Sequence, residues 1–391
     1  MADKPAAVIA AMLLGCCGVF AIMGQPILVE VMITRLGFQA GDAFFITALE
    51  ALGTALGPVL ALFWMQRLPW RLAAVASLLV IIGGNILSAY ETSPTMLGIL
   101  RFAIGVLGEG TAFALSVAII SHTTQKDRNF AFVIAAQVLL GVAFFRFLPM
   151  PHDAGISGVT LPMAGLAIIA LPASAWIPQP AASGHKAAAA QPAGSVVPAL
   201  GALAVMLVWC TGLGALWASI KLIGVEVTCP GCDAVAMSAA KLDVGKALAL
   251  STGIAVVGAL AAAAMGDRFG RLLPVSVALT MQFVMVLLLR GEMPWLQFAM
   301  TAATFQVFWN LTGPYLMGTV AASDTTGKIS LLIPTTQIGG FFLGPTITKF
   351  FLTEGTYVAA NYVAAVCIVV ALLLFIPAAN RVKGIAARPG H

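Results

Sequence analysis

The sequence predicts an all-helical integral membrane protein with twelve transmembrane helices. Of the 391 residues, 60% are hydrophobic and only 9% are charged, whereas about a quarter of the residues of a soluble domain are charged. The mean hydropathy is +1.01. Apolar runs of helical length follow one another along the whole chain, which excludes the short alternating strands of an outer-membrane barrel.

Each predicted span is an apolar stretch bounded by short polar or basic segments. The twelve spans are residues 6–33, 42–65, 70–90, 94–121, 130–150, 159–177, 197–223, 242–265, 272–289, 294–321, 329–351 and 357–378. The first apolar run has no cleavage site after it, so it is predicted to be retained. The Pro-, Ala- and Gly-rich linker 178–196 separates a six-helix half, 1–177, from a second half, 197–378, and a tail follows at 379–391.

The distribution of basic residues predicts the topology, because Lys and Arg accumulate in cytoplasmic loops. The loops of one side hold only Arg35, Arg290 and, at a span edge, Lys241. The opposite loops and the two tails hold Lys4, Arg67, Arg71, Lys126, Arg128, Lys186, Arg268, Arg271, Lys328, Arg381, Lys383 and Arg388. Both termini are therefore predicted to be cytoplasmic, in a bacterial-type inner membrane. The protein is expected to be a monomer in the lipid bilayer.

The turn between spans 8 and 9 carries a recognisable motif. Residues 266–271, GDRFGR, resemble the G-x-x-x-D-R-x-G-R signature of the major facilitator superfamily. The resemblance implies a transporter of two six-helix halves that works by alternating access. It also implies a cytoplasmic charge latch, which falls here on Asp267, Arg268 and Arg271. The equivalent turn at 66–71, QRLPWR, departs from the signature because it has no Asp.

Span 4 is similar to a second signature of the superfamily, R-F-x-x-G-x-x-x-G. Arg101, Phe102 and Gly105 match it, and Gly108 or Gly110 lies one residue from its last position. In that pattern the Arg is linked with proton transfer. The Gly-x-x-x-Gly-Pro signature of antiporters is absent from span 5, and the subfamily stays unresolved.

Three charged residues inside the spans, Glu50, Arg101 and Glu109, are the candidates for proton coupling. A charge at the centre of a lipid-embedded helix costs roughly 2.5–3.5 kcal/mol and therefore needs a partner, a water-filled cavity or a function. Each Glu can form a structural ion pair, or it can bind a proton in one conformational state and release it in another. Arg101 and Glu109 are about 12 Å apart along the helix, so each is expected to find its partner elsewhere.

Polar and aromatic side chains inside the spans are candidates for the substrate cavity, although they can equally hold helices together. The candidates are Gln25, Gln137, Arg146, Trp217, Lys246, Gln306, Asn310 and Gln337. Arg146, Lys221 and Lys349 can alternatively extend their long side chains to the membrane interface. Bases outnumber acids in the outer half, which predicts an organic anion or amphipathic metabolite as the small-molecule substrate. Proton-driven efflux of drugs or metabolites is the alternative.

Other function classes have little support in the sequence. The four His residues are scattered over loops and a tail without metal-ligand spacing, so no metal or cofactor is predicted, and an enzyme or sensor is disfavoured. The basic residues follow the topology, which leaves protons and a small solute as predicted partners and nucleic acid as a poor one. Cys229 and Cys232 flank a Pro-Gly turn and can form a local disulfide or remain free thiols.

Overall fold

The computed structural model describes residues 4–65, 67–121, 123, 126–149, 154–178, 197–266, 268–324, 329–352 and 356–386. Sixteen α-helices make up most of this described part. They are α1 (Pro5–Cys17), α2 (Phe20–Met23), α3 (Gln25–Thr34), α4 (Ala40–Trp64), α5 (Trp70–Ser88), α6 (Pro94–Ala103), α7 (Gly110–Ser121), α8 (Lys126–Phe147), α9 (Ser157–Ala170), α10 (Val197–Thr228), α11 (Ala234–Ile254), α12 (Val256–Met265), α13 (Leu272–Leu288), α14 (Trp295–Ser323), α15 (Ile333–Lys349) and α16 (Val358–Ala386). A π-helix, Ile104–Glu109, joins α6 to α7, and 3-10 turns lie at Leu171–Trp176 and Ile329–Leu332.

These helices follow the order of the twelve predicted spans, and the all-helical prediction is confirmed. Span 1 is divided into α1, α2 and α3, span 4 contains the π-helix, and span 8 is divided into α11 and α12. Within the described residues, seven helical stretches are long and apolar enough to cross a membrane. Helices α1, α3 and α13 and residues 132–147 of α8 are apolar but shorter.

Two predicted helix boundaries differ from the structure by eight residues. Helix α11 begins at Ala234, well before the predicted residue 242, because the carboxylate of Asp233 accepts a hydrogen bond from the backbone N–H of Ala236 at 2.8 Å and caps the helix. Helix α16 continues past the predicted end at residue 378 to Ala386. Most of the predicted linker, 179–196, lies outside the described residues.

Contacts between helix ends define two sides of the bundle. In the predicted twelve-span order α1 begins and α16 ends on the same side, which we call the terminal side, and we call the opposite one the distal side. On the terminal side, Nε of Arg71 at the start of α5 donates to the carbonyl of Ile177 at 2.8 Å. On the distal side, Oγ1 of Thr356 donates to Glu226 at the end of α10, also at 2.8 Å. Contacts of this kind tie neighbouring passes together at both ends.

Glycines bring span 4 into close contact with α4. A β-carbon on Gly105 would lie 2.4 Å from the carbonyl oxygen of Glu50, and one on Gly53 would lie 2.5 Å from the carbonyl oxygen of Phe102. Because the opposing atoms belong to the backbone, no side-chain rotation can relieve such an overlap. Small residues therefore set the distance between these two helices.

We expect Gly105→Ala to lower the free energy of unfolding by about 1–3 kcal/mol, because the added methyl group overlaps the backbone of α4. The matched control is Gly165→Ala in α9, where no atom lies within 4 Å of the added carbon. That change should be neutral or stabilising by about 0.4–1 kcal/mol. Thermal unfolding in detergent measures both variants, and equal effects would contradict the close contact.

Candidate functional site

The N-terminal half encloses a cluster of three charged side chains, which we call the carboxyl cluster: Glu50 on α4, Arg101 on α6 and Glu109 at the end of the π-helix. Their exposed fractions are 0%, 1% and 0%. Nη2 of Arg101 forms an ion pair with Oε1 of Glu50. Nη1 of Arg101 donates to Oδ1 of Asn85 on α5 at 2.8 Å. Oγ1 of Thr54, one turn after Glu50, donates to Oε2 of Glu109 at 3.0 Å.

The carboxyl groups of Glu50 and Glu109 are neighbours in this cluster. Among the described residues, Oε2 of Glu50 and Oε1 of Glu109 receive no hydrogen bond from a donor. Buried acceptors without a donor are costly, and two carboxylates beside one guanidinium leave one negative charge in excess. A single proton shared by the two carboxyl groups would remove that excess charge.

The π-helix positions Glu109 relative to Arg101. In a regular helix, side chains eight residues apart differ in direction by about 80°, and a π-helical turn changes this relation. Here both side chains reach α4, with Arg101 contacting Glu50 and Glu109 contacting Thr54. The partners of both charges in span 4 therefore lie on neighbouring spans.

A second set of buried charges, which we call the distal ion cluster, joins the two halves. Glu30 on α3 and Lys221 on α10 are each 4% exposed. Nζ of Lys221 donates to Oε2 of Glu30 at 3.3 Å, and Nζ of Lys241 on α11 lies 3.6 Å from Oε1. Extension of Lys221 to the membrane interface is therefore the wrong interpretation. Glu30 was not singled out from the sequence, although an acidic residue inside a predicted span is itself a signal.

Further contacts hold the halves together towards the distal side. Nζ of Lys349, at the end of α15, lies 3.7 Å from the carboxylate of Asp42 at the start of α4. It also lies 4.7 Å from the centre of the Phe45 ring. Nε1 of Trp217 on α10 donates to the carbonyl of Ile22 on α2 at 2.6 Å. Together with the distal ion cluster, these contacts form a seam between the halves.

A cavity of about 150 Å³ lies in this seam beside the distal ion cluster, and we call it the seam cavity. Spans 1 and 5 line it from the first half, and spans 7 and 8 from the second. Its charged lining residues are Glu30, Arg35, Arg146, Lys221, Lys241 and Lys246. The described lining is therefore dominated by positive charge.

Two predicted substrate-binding residues, Arg146 and Lys246, lie in the seam cavity. Both are exposed. The guanidinium of Arg146 lies 5.3 Å from the centre of the Phe147 ring, and Nζ of Lys246 pairs with Asp243 at 2.8 Å. Lys246 lies within the apolar stretch Ala234–Ala262, which is long enough to cross a membrane. The structure puts it on the exposed distal part of α11.

Two other predicted cavity residues are buried. The side chain of Gln25 is 0% exposed, and neither its amide nitrogen nor its oxygen has a hydrogen-bond partner in the described part of the chain. Trp217 is 2% exposed and packs edge-to-face on Phe145 and Trp309, with ring centres 5.4 Å apart in each pair. Trp217 therefore packs within the seam.

The remaining cavity candidates connect neighbouring helices or turns. Gln137 donates to the carbonyl of Gly15 (3.1 Å), and Asn310 donates to the carbonyl of Gln306 (3.0 Å). The side chain of Gln306 donates to Ser251 (2.7 Å) and accepts from Thr252 (3.1 Å). Gln337 donates to the sulfur of Met317 (3.8 Å). These contacts are typical of polar residues that hold membrane helices together.

The residues predicted to form a cytoplasmic latch are only partly described. Asp267 lies outside the described residues. Arg268 is exposed, and the guanidinium of Arg271 lies beside Gly318 of α14, where a β-carbon would meet it at 3.8 Å. Gly270 supplies the turn with a φ of +62°, which favours glycine.

Two further buried amides, Asn85 and Gln282, were not predicted from the sequence. Asn85 holds Arg101, and Gln282 on α13 accepts from Nε1 of Trp209 at 3.0 Å and donates to Thr312 at 2.9 Å. A single amide in an otherwise apolar span is the signal that could have found both. Cys229 and Cys232, for which the sequence left two alternatives open, form a disulfide.

We expect Arg101→Met to lower the free energy of unfolding by about 3–5 kcal/mol, because it leaves two buried carboxyl groups without their cation. The control is Lys246→Met, which removes a cation from an exposed i,i+3 pair and should change stability by about 1 kcal/mol or less. Chemical unfolding in detergent measures the difference. Similar losses in the two variants would show that the carboxyl cluster does not hold the helices together.

No protein-family model matches the sequence, and no curated protein matches it significantly. Solved structures do match. A mutant of the nucleoside transporter NupG has a TM-score of 0.74 at 11% identity, over 95% of this chain and 99% of that one. A D-xylose–proton symporter has a TM-score of 0.73 at 12% identity, over 94% and 96%. A mutant of the peptide transporter POT in complex with sulfate has a TM-score of 0.72 at 12% identity, over 97% and 95%. The chain therefore has the major facilitator fold.

Proposed function

We propose that this protein is a secondary active transporter that moves a small organic solute across a membrane by alternating access and is coupled to protons. The observation that carries the proposal is the carboxyl cluster, in which two fully buried carboxyl groups share one cluster with a single guanidinium. The fold supports it, because solved proteins of this fold are named as transporters of nucleosides and peptides and as a xylose–proton symporter.

The carboxyl cluster has the parts that a proton carrier needs. Arg101 stays charged at all physiological pH values, so it balances one carboxylate and no more. When the cluster is enclosed, a proton between Glu50 and Glu109 neutralises the second carboxylate. When water reaches the cluster, hydration stabilises the ionised form and the proton leaves. A change of water access between two conformations therefore becomes uptake and release of one proton.

The substrate is proposed to be an organic anion or an amphipathic metabolite. Positive charge dominates the described lining of the seam cavity between the halves, where Arg146, Lys221, Lys241 and Lys246 lie near one described carboxylate, that of Glu30. A cation at this place would meet repulsion, whereas a carboxylate would meet complementary charge.

We place the protein in the cytoplasmic membrane with the terminal side facing the cytoplasm. The turns of the terminal side contain Arg67, Arg71, Arg268 and Arg271, as the positive-inside rule requires of cytoplasmic loops.

A fluorescent protein fused after residue 391 is expected to fluoresce, and alkaline phosphatase fused there is expected to be inactive. The reverse pattern would overturn the orientation and leave the transporter proposal standing.

The test of function begins with a ligand-stabilisation screen of the purified protein, followed by flux measurements in proteoliposomes with the best hit. For one proton per solute, a pH difference of one unit supports at most about tenfold accumulation. We expect Glu109→Gln and Glu50→Gln to lose gradient-driven accumulation and to retain solute exchange without a gradient. The control is Glu292→Gln, at an exposed distal position, which should behave like the unmodified protein.

Two results would contradict parts of this proposal separately. If an imposed proton gradient leaves the flux of the best hit unchanged, the protein is not proton-coupled. If Glu109→Gln retains full gradient-driven accumulation, Glu109 is not part of the coupling, although the transporter proposal remains.

A further inference from the structure

The described lining of the seam cavity carries more positive than negative charge. Lys246 is neutralised by its 2.8 Å pair with Asp243. Besides Arg35, the described lining residues then contribute three cations, Arg146, Lys221 and Lys241, and the carboxylate of Glu30, so among them two positive charges are in excess. Like charges confined around a small space repel one another, and an anion in that space relieves the repulsion.

The two lysines also retain hydrogen-bond donors. An ammonium group has three N–H donors. Nζ of Lys221 makes one long hydrogen bond, 3.3 Å, to Glu30. Nζ of Lys241 lies 3.6 Å from the same carboxylate, beyond ordinary hydrogen-bond distance. Both side chains line the seam cavity, so their remaining donors are within reach of a bound acceptor.

The seam cavity has room for a small anionic group. Its volume of about 150 Å³ far exceeds the roughly 10–15 Å³ that one water molecule needs, so a carboxylate, sulfate or phosphate group fits this space. Oxyanions of this kind are also the partners that Arg and Lys side chains bind best.

We propose that the seam cavity is an oxyanion-binding site in which Lys221, Lys241 and Arg146 hold a carboxylate, sulfate or phosphate group. Lys221 and Lys241 belong to the second half and Arg146 to the first, so the bound group contacts both halves. The part of this proposal in which the bound group belongs to the transported solute rests on the function proposed above. Its anion binding, however, can be measured without any transport.

Glu30 competes with the oxyanion for the same ammonium groups. Its carboxylate contacts both Lys221 and Lys241, and its negative charge repels an anion in the seam cavity. Replacement of Glu30 by Gln removes that charge, so the ammonium groups of both lysines are available to bind the oxyanion. This variant should therefore bind an oxyanion more tightly than the unmodified protein, a gain that damage to the fold cannot produce.

The experiment measures binding of radiolabelled inorganic sulfate by equilibrium dialysis, in neutral detergent at constant ionic strength. We expect Lys241→Gln to weaken binding roughly tenfold or more, as the loss of one charge-assisted hydrogen bond implies. The control is Lys349→Gln. The side chain of Lys349 is 32% exposed and forms a 3.7 Å ion pair across the same seam, and that of Lys241 is 29% exposed and forms a 3.6 Å ion pair. Lys349, however, does not line the seam cavity.

Glu30→Gln should tighten sulfate binding, and its matched control Asp42→Asn should leave it unchanged. Absence of saturable binding in the unmodified protein overturns the proposal, as does equal affinity in Lys241→Gln and Lys349→Gln. Neither result depends on whether a proton gradient drives flux, so the two proposals fail separately.

The oxyanion can belong to a soluble solute or to the headgroup of an anionic lipid. Sulfate binding is therefore repeated in nanodiscs of phosphatidylcholine with and without phosphatidylglycerol. Binding that persists in the presence of phosphatidylglycerol assigns the site to a soluble oxyanion. Binding that phosphatidylglycerol abolishes in the unmodified protein assigns it to a lipid headgroup.

Discussion

Arg101 constrains the whole N-terminal half, because its guanidinium keeps its charge at all physiological pH values and has only 1% of its surface exposed. A cation in that position is tolerable only if acceptors from other helices surround it. Glu50 supplies one from α4, and Asn85 supplies another from α5. Three spans therefore have to pack against one another at a fixed height, and the glycine contacts between span 4 and α4 make the required approach possible.

The two charge clusters differ in burial and in the free energy that their separation costs. The carboxyl cluster lies within one half and is fully buried, and its cation is held by helices of that same half. The ion pairs of the seam are long, 3.3 to 3.7 Å, and Lys241 and Lys349 are partly exposed. The pairs of these two lysines contribute little free energy, whereas separation of the buried Glu30–Lys221 pair is costly unless water reaches both charges. If the halves separate at the seam, the Glu30–Lys221 pair therefore sets most of the cost.

The sequence predicted the spans well because burial in lipid is a local property that each apolar stretch shows by itself. It also singled out Glu50, Arg101 and Glu109 as candidates, since charges inside spans are costly wherever they point. What it could not provide was the register between helices. The Glu30–Lys221 pair joins residues 191 positions apart, and no pattern within either span identifies the other. The start of α11 was predicted eight residues too late for a local reason, because the cap at Asp233 starts that helix before its apolar stretch.

Helix α4 carries both kinds of contact and relates them mechanically. Asp42 lies in the seam, and Glu50 lies in the carboxyl cluster about 12 Å further along the same helix. A rigid rotation of the N-terminal half that separates Asp42 from Lys349 moves Glu50, Arg101 and Glu109 together, because all three belong to that half. The ion pair of Arg101 would survive such a motion. In the transport cycle proposed above, what changes around the carboxyl cluster is its access to water, so hydration of Glu109, not rupture of the Arg101–Glu50 pair, would release the proton.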